Sequence, residues 1–328
     1  MKKILLSLAF SFLSFSAFSI DWSLFSLSVE PLFGMKYGQL DEYVFLKQTQ
    51  YSEDKLSELN WKIKPELQYG IKIRGGWNGF FEETHFTAGI PMDCGKMTDS
   101  DWMNIKYANQ ENSLYKTNYS ESDNHLDYDI SFGFKGGYEF RFFEIISIKP
   151  ALAFEYQNTK FTGKNGTAWY GKSKDPSGKY PYDDTDHQET HDFSGKRVVG
   201  YNRISDIIWL GSDFAVSLLP NFEINAGFFL SPYTYTVSFD NHLLTSMDYA
   251  DKTIDSFSAF RWNFGVSYRI AERHFINLNA SYFYMSLIRG ETYEKSSSQS
   301  TYTKSTVAEG GAGAGWFDLT LSYRFKIF

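Results

Sequence analysis

The chain has 328 residues, of which 19% are aromatic, yet its mean hydropathy is only −0.37. Its formal net charge of −7 argues against a nucleic acid as partner, because the phosphate backbone attracts basic proteins. After the first twenty residues, no apolar run approaches the roughly 20 residues that a membrane-spanning helix needs. Many aromatic residues without long apolar runs favour strands over helices.

The first twenty residues have the pattern of a secretory signal peptide. Lys2 and Lys3 precede a short apolar run that reaches small residues at Ala17 and Ser19, and no stop-transfer pattern follows. We therefore expect a signal peptide over residues 1–20 and a single mature domain over residues 21–328. The one cysteine, Cys94, cannot form an internal disulfide, and we predict that it is a lipid-facing apolar residue.

Alternation with a period of two residues is the strongest pattern in the chain. Between Leu59 and Ile73 every odd position is apolar or aromatic, whereas the even positions are polar, charged or glycine. The same pattern recurs over residues 126–134, 260–270 and 317–327, and the chain ends on Phe328. Each segment therefore reads as a strand with one apolar and one polar face, and we predict that the apolar faces point outward.

The connections between these segments alternate in length. Short turns are predicted near residues 75–79, 138–144, 219–221 and 271–274, and long polar stretches over residues 47–56, 93–123, 162–198, 243–255 and 290–315. The sequence therefore predicts an all-β fold: an antiparallel transmembrane β-barrel of about ten strands, with long extracellular loops, in the outer membrane. A secreted β-sandwich is the alternative, but its loops need not alternate in this way.

Two acidic motifs are placed at the external ends of predicted strands. Asp99 and Asp101 form one pair, and Asp240 with His242 forms the other; residues two apart on a strand point to the same side. Strand parity predicts that five acids and two histidines face one groove: Glu42, Asp99, Asp101, Glu121, Asp240, His125 and His242. Such groups can activate water. For a D-x-D motif alone, a loop turn or a divalent-cation site is the alternative.

Six segments resemble, in the same order, those of the omptins, outer-membrane endopeptidases built on a ten-stranded barrel. They are DEYVF from Asp41, SELNW from Ser57, TDSDWM from Thr98, YSESDNH from Tyr119, GKRVVGY from Gly195 and FDNH from Phe239. The resemblance implies a protease in which Asp99 with Asp101 and Asp240 with His242 hold a water that attacks the scissile carbonyl without an acyl-enzyme. It implies no metal and no cofactor.

The resemblance also implies cleavage beside basic residues, in basic peptides or host proteins. Omptins grip the substrate P1 side chain with two acids; Glu42 matches one of them, but Ser238 stands at the position of the other. We therefore expect a weaker or altered preference for Arg or Lys at P1. Glu121 matches an acid on the primed side, and His125 matches a groove histidine, for which a structural role is the alternative.

Omptins are activated by lipopolysaccharide through basic residues on the outer wall. Lys160 matches one such position, whereas Ile204 and Ser256 occupy others, and Arg203 beside Ile204 is a candidate substitute. The resemblance thus predicts an outer-membrane lipid partner with an incomplete binding site. Two alternative functions are a catalytically silent barrel that acts as an adhesin or receptor through its loops, and a passive pore, which inward side chains would obstruct.

Overall fold

The computed structural model describes residues 25–47, 54–106, 115–174, 178–296 and 298–328. The predicted signal peptide lies outside these residues. Within them the regular structure is fourteen strands and one short 3-10 turn, and none of it is a helix long and apolar enough to cross a membrane. The strands are β1 (Phe25–Leu46), β2 (Lys55–Trp77), β3 (Phe80–Gly89), β4 (Met92–Asp101), β5 (Asn118–Tyr138), β6 (Phe140–Phe142), β7 (Ile146–Gly171), β8 (Gln188–Asp192), β9 (Arg197–Leu219), β10 (Phe222–His242), β11 (Met247–Asp255), β12 (Ala259–Ala271), β13 (His274–Ser296) and β14 (Thr303–Lys326).

These strands close into one antiparallel ring. β3 continues into β4, and β11 continues into β12, so that each pair forms one strand of the wall; β6 and β8 are short additions that pair with β7. The wall therefore has ten strands. It closes because β1 pairs with β2 on one side and with β14 on the other. The predicted barrel of about ten strands is confirmed.

The half of the wall that carries the short turns is apolar on its outside. Tyr69, Ile71 and Ile73 on β2, Leu210 on β9 and Phe264 on β12 are all exposed there. Aromatic side chains ring its lower edge: Trp77, Phe80, Tyr138, Phe140 and Phe328. An apolar belt with an aromatic girdle is typical of a barrel that spans a membrane.

In the other half, the predicted orientation of the apolar face is wrong. Leu59, Trp61 and Ile63 are buried inside the barrel, although Tyr69 and Ile71 of the same strand face outward. The pairing of β2 with β1 shows the cause, since it shifts by one residue between Lys36 and Gly38 of β1. One additional residue in a strand reverses which side chains face inward. Above this level the apolar residues of β2 form an internal core.

A similar register shift in β4 turns the Cys94 side chain toward the inside of the barrel. The pairing of β4 with β5 is displaced between Asp93 and Lys96, around Gly95, whose φ of 127° lies in a region that suits glycine. Cys94 is consequently fully buried, and its Sγ lies 4.0 Å from the carbonyl oxygen of Lys62. The prediction that this cysteine faces lipid is wrong.

A layer of aromatic side chains fills the barrel between its two halves. Trp61 stacks on Tyr201 and Phe161, with ring centroids 5.1 and 5.8 Å apart, and Phe283 stacks on Trp316 at 4.0 Å. The lumen below holds a polar cavity of about 1020 Å³ that is lined by charged side chains. The aromatic layer separates this cavity from the extracellular end, and it supports the polar side chains above.

Candidate active site

The two acidic motifs lie above the apolar belt. Asp99 pairs across the sheet with Leu59, and the outward-facing neighbours of Leu59 are Glu58 and Asn60, which are hydrogen-bonded to each other. On the opposite wall, Asn241 lies between the residues of the second motif and faces outward, where it donates a hydrogen bond to Asp248 at 2.8 Å. Since polar side chains cover the outside of the wall at this height, the motifs lie outside the membrane-spanning segments.

Asp99 and Asp101 end β4 and face the lumen. Asp99 accepts a hydrogen bond from the Ser57 hydroxyl at 3.4 Å, and Asp101 accepts one from Asn118 Nδ2 at 2.9 Å. Burial raises the pKa of both carboxyl groups, and for Asp99 the negative charge of Asp101 raises the pKa further. The two acids therefore titrate as a pair and hold a proton more readily than exposed aspartates do.

Asp240 and His242 end β10 on the opposite wall. A register shift between Leu230 and Tyr233 sets the phase that turns both side chains inward. His242 Nε2 lies 2.6 Å from Asp240 Oδ2; the Asp240 side chain is buried, whereas 32% of the His242 side chain is exposed. This arrangement is an imidazole with one nitrogen held by a buried carboxylate.

The pKa of His242 depends on charges from both walls of the groove. Burial alone lowers this pKa, but the negative charges of Asp240, Asp99 and Asp101 outweigh burial and raise it to about 9. The positive charge of His242 in turn acts to lower the pKa of Asp99 and Asp101. The two motifs thus form one electrostatic unit across the groove, as strand parity predicts.

Glu42 on β1 is also inward, opposite Leu59, and only 3% of its surface is exposed. Burial raises its pKa well above the ordinary value, and the charges of Asp240 and Asp251 add to this effect. Ser238 lies two residues before Asp240 on the same face and is buried. Glu42 and Ser238 therefore occupy the interior of the barrel, as strand parity predicts.

Sequence reasoning missed two side chains at this site. Asp251 falls in a stretch predicted to be a loop, but β11 extends through it to Asp255; the alternation of Tyr249, Asp251 and Thr253 was the available signal. Tyr170 on β7 pairs across the sheet with Asn118, the residue that bonds Asp101. Its pKa is raised to about 12 by burial and then by the charges of Asp99 and Asp101.

The predicted inward orientation of Glu121 and His125 is wrong. Glu121 pairs with Thr98 on the outer face and lies 3.5 Å from Lys96, and His125 Nδ1 lies 2.6 Å from Asp93 on the same outer face. The cause lies in β5, which has one extra residue between Leu126 and Tyr128 relative to β7. This shift leaves Ser120 and Ser122 to face the lumen, and the two predicted groove residues lie on the outer wall.

The structure also corrects the assignment of Arg203 to a lipid site. Its guanidinium is buried inside the barrel, where it donates hydrogen bonds to the Tyr201 hydroxyl and to the carbonyl oxygens of Gly313 and Asp41. Tyr201 through Trp209 alternate inward at odd positions, so Arg203 shares the internal phase. Lys160 lies on the outer face and pairs with residues of β5 and β9.

Comparison with known proteins agrees with this geometry. The model of the omptin family matches residues 24–327. In sequence, the chain is 26% identical to the plasminogen activator of Yersinia pestis. The matched 246 residues cover 70% of this chain and 67% of that protein. In structure, it superposes on the outer membrane protease OmpT of Escherichia coli with a TM-score of 0.77 at 16% identity, over 95% of this chain and 98% of that one. Because the family match spans nearly the whole barrel, this protein belongs to the omptin family of outer-membrane β-barrel proteases, whose active site faces the cell exterior.

Proposed function

We propose that the protein is an endopeptidase that hydrolyses peptide bonds beside basic residues with a water activated by four side chains. The observation that carries this proposal is the pairing of Asp240 with His242 at 2.6 Å, opposite a second acid pair, Asp99 and Asp101, whose charges reach the imidazole. A held imidazole is a good general base, and a raised carboxyl pKa is what a general acid needs.

The reaction needs one water and no covalent intermediate. Neutral His242 takes a proton from the water, whose oxygen attacks the scissile carbonyl carbon to form a tetrahedral intermediate. Asp240 stabilises the imidazolium that results. The protonated member of the Asp99 and Asp101 pair donates a hydrogen bond to the oxyanion. When the C–N bond breaks, the imidazolium gives its proton to the leaving amine; a carboxylic acid and an amine are released, and the acid then loses its remaining proton to solvent.

The negative charge of the groove favours the binding of basic substrates. Its inward acids are Glu42, Asp99, Asp101, Asp240 and Asp251. They outnumber the cations that act on them, which are Arg203, His242 and Lys179. An acidic groove attracts cationic chains and steers their approach. The Yersinia pestis relative is named for activating plasminogen, a protein substrate, so we extend the proposed substrate class from basic peptides to basic sites in host proteins.

Cleavage of a mixed peptide library by the refolded barrel, with and without lipopolysaccharide, tests the proposal. We expect cuts beside Arg or Lys by the wild type and none by Asp99→Ala or His242→Ala. His125→Ala is the matched control, because this histidine also pairs with an aspartate but lies on the outer wall; it should leave cleavage intact. A folded wild-type barrel that cuts nothing in either condition would overturn the proposal and favour the adhesin or receptor alternative.

A further inference from the structure

Asp251 lies directly across the sheet from Ser238. The two residues are paired in the antiparallel ladder of β10 and β11, so their side chains point to the same side, with Cβ atoms about 5 Å apart. Resting on the proposed function, we propose that Asp251, from the neighbouring strand, joins Glu42 as the second acid that grips the cationic P1 side chain. The charge absent at Ser238 is thus supplied one strand away.

Both carboxyl groups are buried and incompletely bonded. Asp251 and Glu42 are each 3% exposed, and among the described residues Asp251 Oδ1 and Glu42 Oε2 have no hydrogen-bond partner. Asp251 also interacts with the Thr292 hydroxyl and with Glu42 itself. A buried carboxylate oxygen without a donor is costly, and a guanidinium or ammonium from the substrate offers the missing donors.

The nearby Arg203 does not supply the missing hydrogen bonds to these two carboxylates. Its three nitrogens donate to the Tyr201 hydroxyl and to two main-chain carbonyl oxygens, and none lies within 4.0 Å of a carboxylate oxygen in the described residues. Its charge is felt at a distance, since it acts to lower the pKa of both Glu42 and Asp251. The two acids therefore keep free oxygens for a ligand cation.

A glycine makes the room that Asp251 needs. A Cβ placed on Gly310 of β14 would lie 2.2 Å from Asp251 Oδ1 and 2.3 Å from its Cγ, which is closer than any real contact. Across the sheet, the neighbour of Asp251 is the short side chain of Ser238. Burial, with a further contribution from Asp240, raises the pKa of Asp251 to about 7, so a bound cation would favour its charged form.

The test compares paired peptides that differ only at P1, with arginine or its neutral isostere citrulline. Asp251→Asn should lower kcat/KM for the arginine peptide by roughly 100-fold, in line with the loss of a buried charged partner, and change the citrulline value less than about threefold. Asp248→Asn is the control, because this aspartate of the same strand faces outward and pairs with Lys295; it should alter neither value.

A charge swap gives an independent result. The double variant Ser238→Asp/Asp251→Ser keeps one acid in the pocket, so it should retain the preference for arginine over citrulline that Asp251→Ser alone loses; it also serves if Asp251→Asn does not refold. An unchanged preference in Asp251→Asn, or a wild type that prefers citrulline, would overturn the role of Asp251 while leaving the protease intact. A wild type that cuts neither peptide, nor any member of the library, would instead overturn the proposed function.

Discussion

Replacing Asp240 by asparagine should change the charge state of His242 and nearly abolish turnover. Asp240 is the strongest charge that raises the pKa of His242 from 6.5 to about 9. That rise corresponds to roughly 3 kcal/mol of preference for the imidazolium, at 1.36 kcal/mol per pKa unit. Without the Asp240 charge and hydrogen bond, only the charges of Asp99 and Asp101 oppose the effect of burial, so the pKa of His242 should fall. Loss of the held general base should lower kcat by about 10²- to 10⁴-fold.

Nuclear magnetic resonance of barrels labelled at histidine can follow this titration, because the sequence contains only six histidines. The His242→Gln variant identifies the signal that belongs to His242. In the wild type, kcat/KM should rise with pH as His242 loses its proton, since the base acts in its neutral form. A wild-type His242 that titrates near 6.5, or one whose pKa does not fall in Asp240→Asn, would refute the electrostatic reasoning.

Three further predictions concern other parts of the barrel. Asn118→Ala removes a hydrogen bond that lowers the pKa of Asp101, so the limb of the pH–rate profile on which activity falls as the Asp99 and Asp101 pair loses its proton should move to higher pH; an unmoved profile would argue against Asp101 as a titrating participant. Trp61→Ala empties a buried site in the aromatic layer and should lower the free energy of unfolding by about 3–5 kcal/mol, measured by denaturant titration in lipid vesicles. Lys160→Ala should reduce any stimulation of cleavage by lipopolysaccharide, and equal stimulation in wild type and variant would remove Lys160 from the lipid site.

The barrel was predictable because its signals are repeated. Alternating segments and connections of alternating length recur around the whole wall, so one local error does not change the fold. The orientation of individual strands was less predictable. An extra residue near Gly95 of β4, or between Ile63 and Glu66 of β2, leaves the alternation in the sequence intact but reverses which face is buried. Hydropathy alone does not reveal these shifts, because a membrane and a protein core both select apolar side chains.

Register shifts also explain which residues of the site were predicted correctly and which were not. Glu42 lies where parity placed it because β1 has no extra residue along its length, and Asp240 does so because the shift before Tyr233 is visible in the alternation of the sequence. Before Asp99 and Asp101 the inward face reverses twice, between Phe86 and Cys94 and again around Gly95, and the two reversals cancel. Glu121 and His125 were misplaced because of one extra residue in β5, between Leu126 and Tyr128, that only the pairing with β7 reveals. Asp251 was missed because a short polar strand beside a turn has the composition of a loop.

The reversal of the apolar face within β2 divides the barrel into two regions whose outer surfaces face different surroundings, lipid in one and water in the other. The lower region turns its apolar side chains to lipid, whereas the upper region keeps Trp61, Ile63 and their neighbours inside and meets water on its outer face. The upper region is thus built like a small soluble barrel that stands on a membrane anchor. Changes in acyl-chain length or bilayer thickness should act on the anchor, and the catalytic groups should keep their spacing in membranes of different composition.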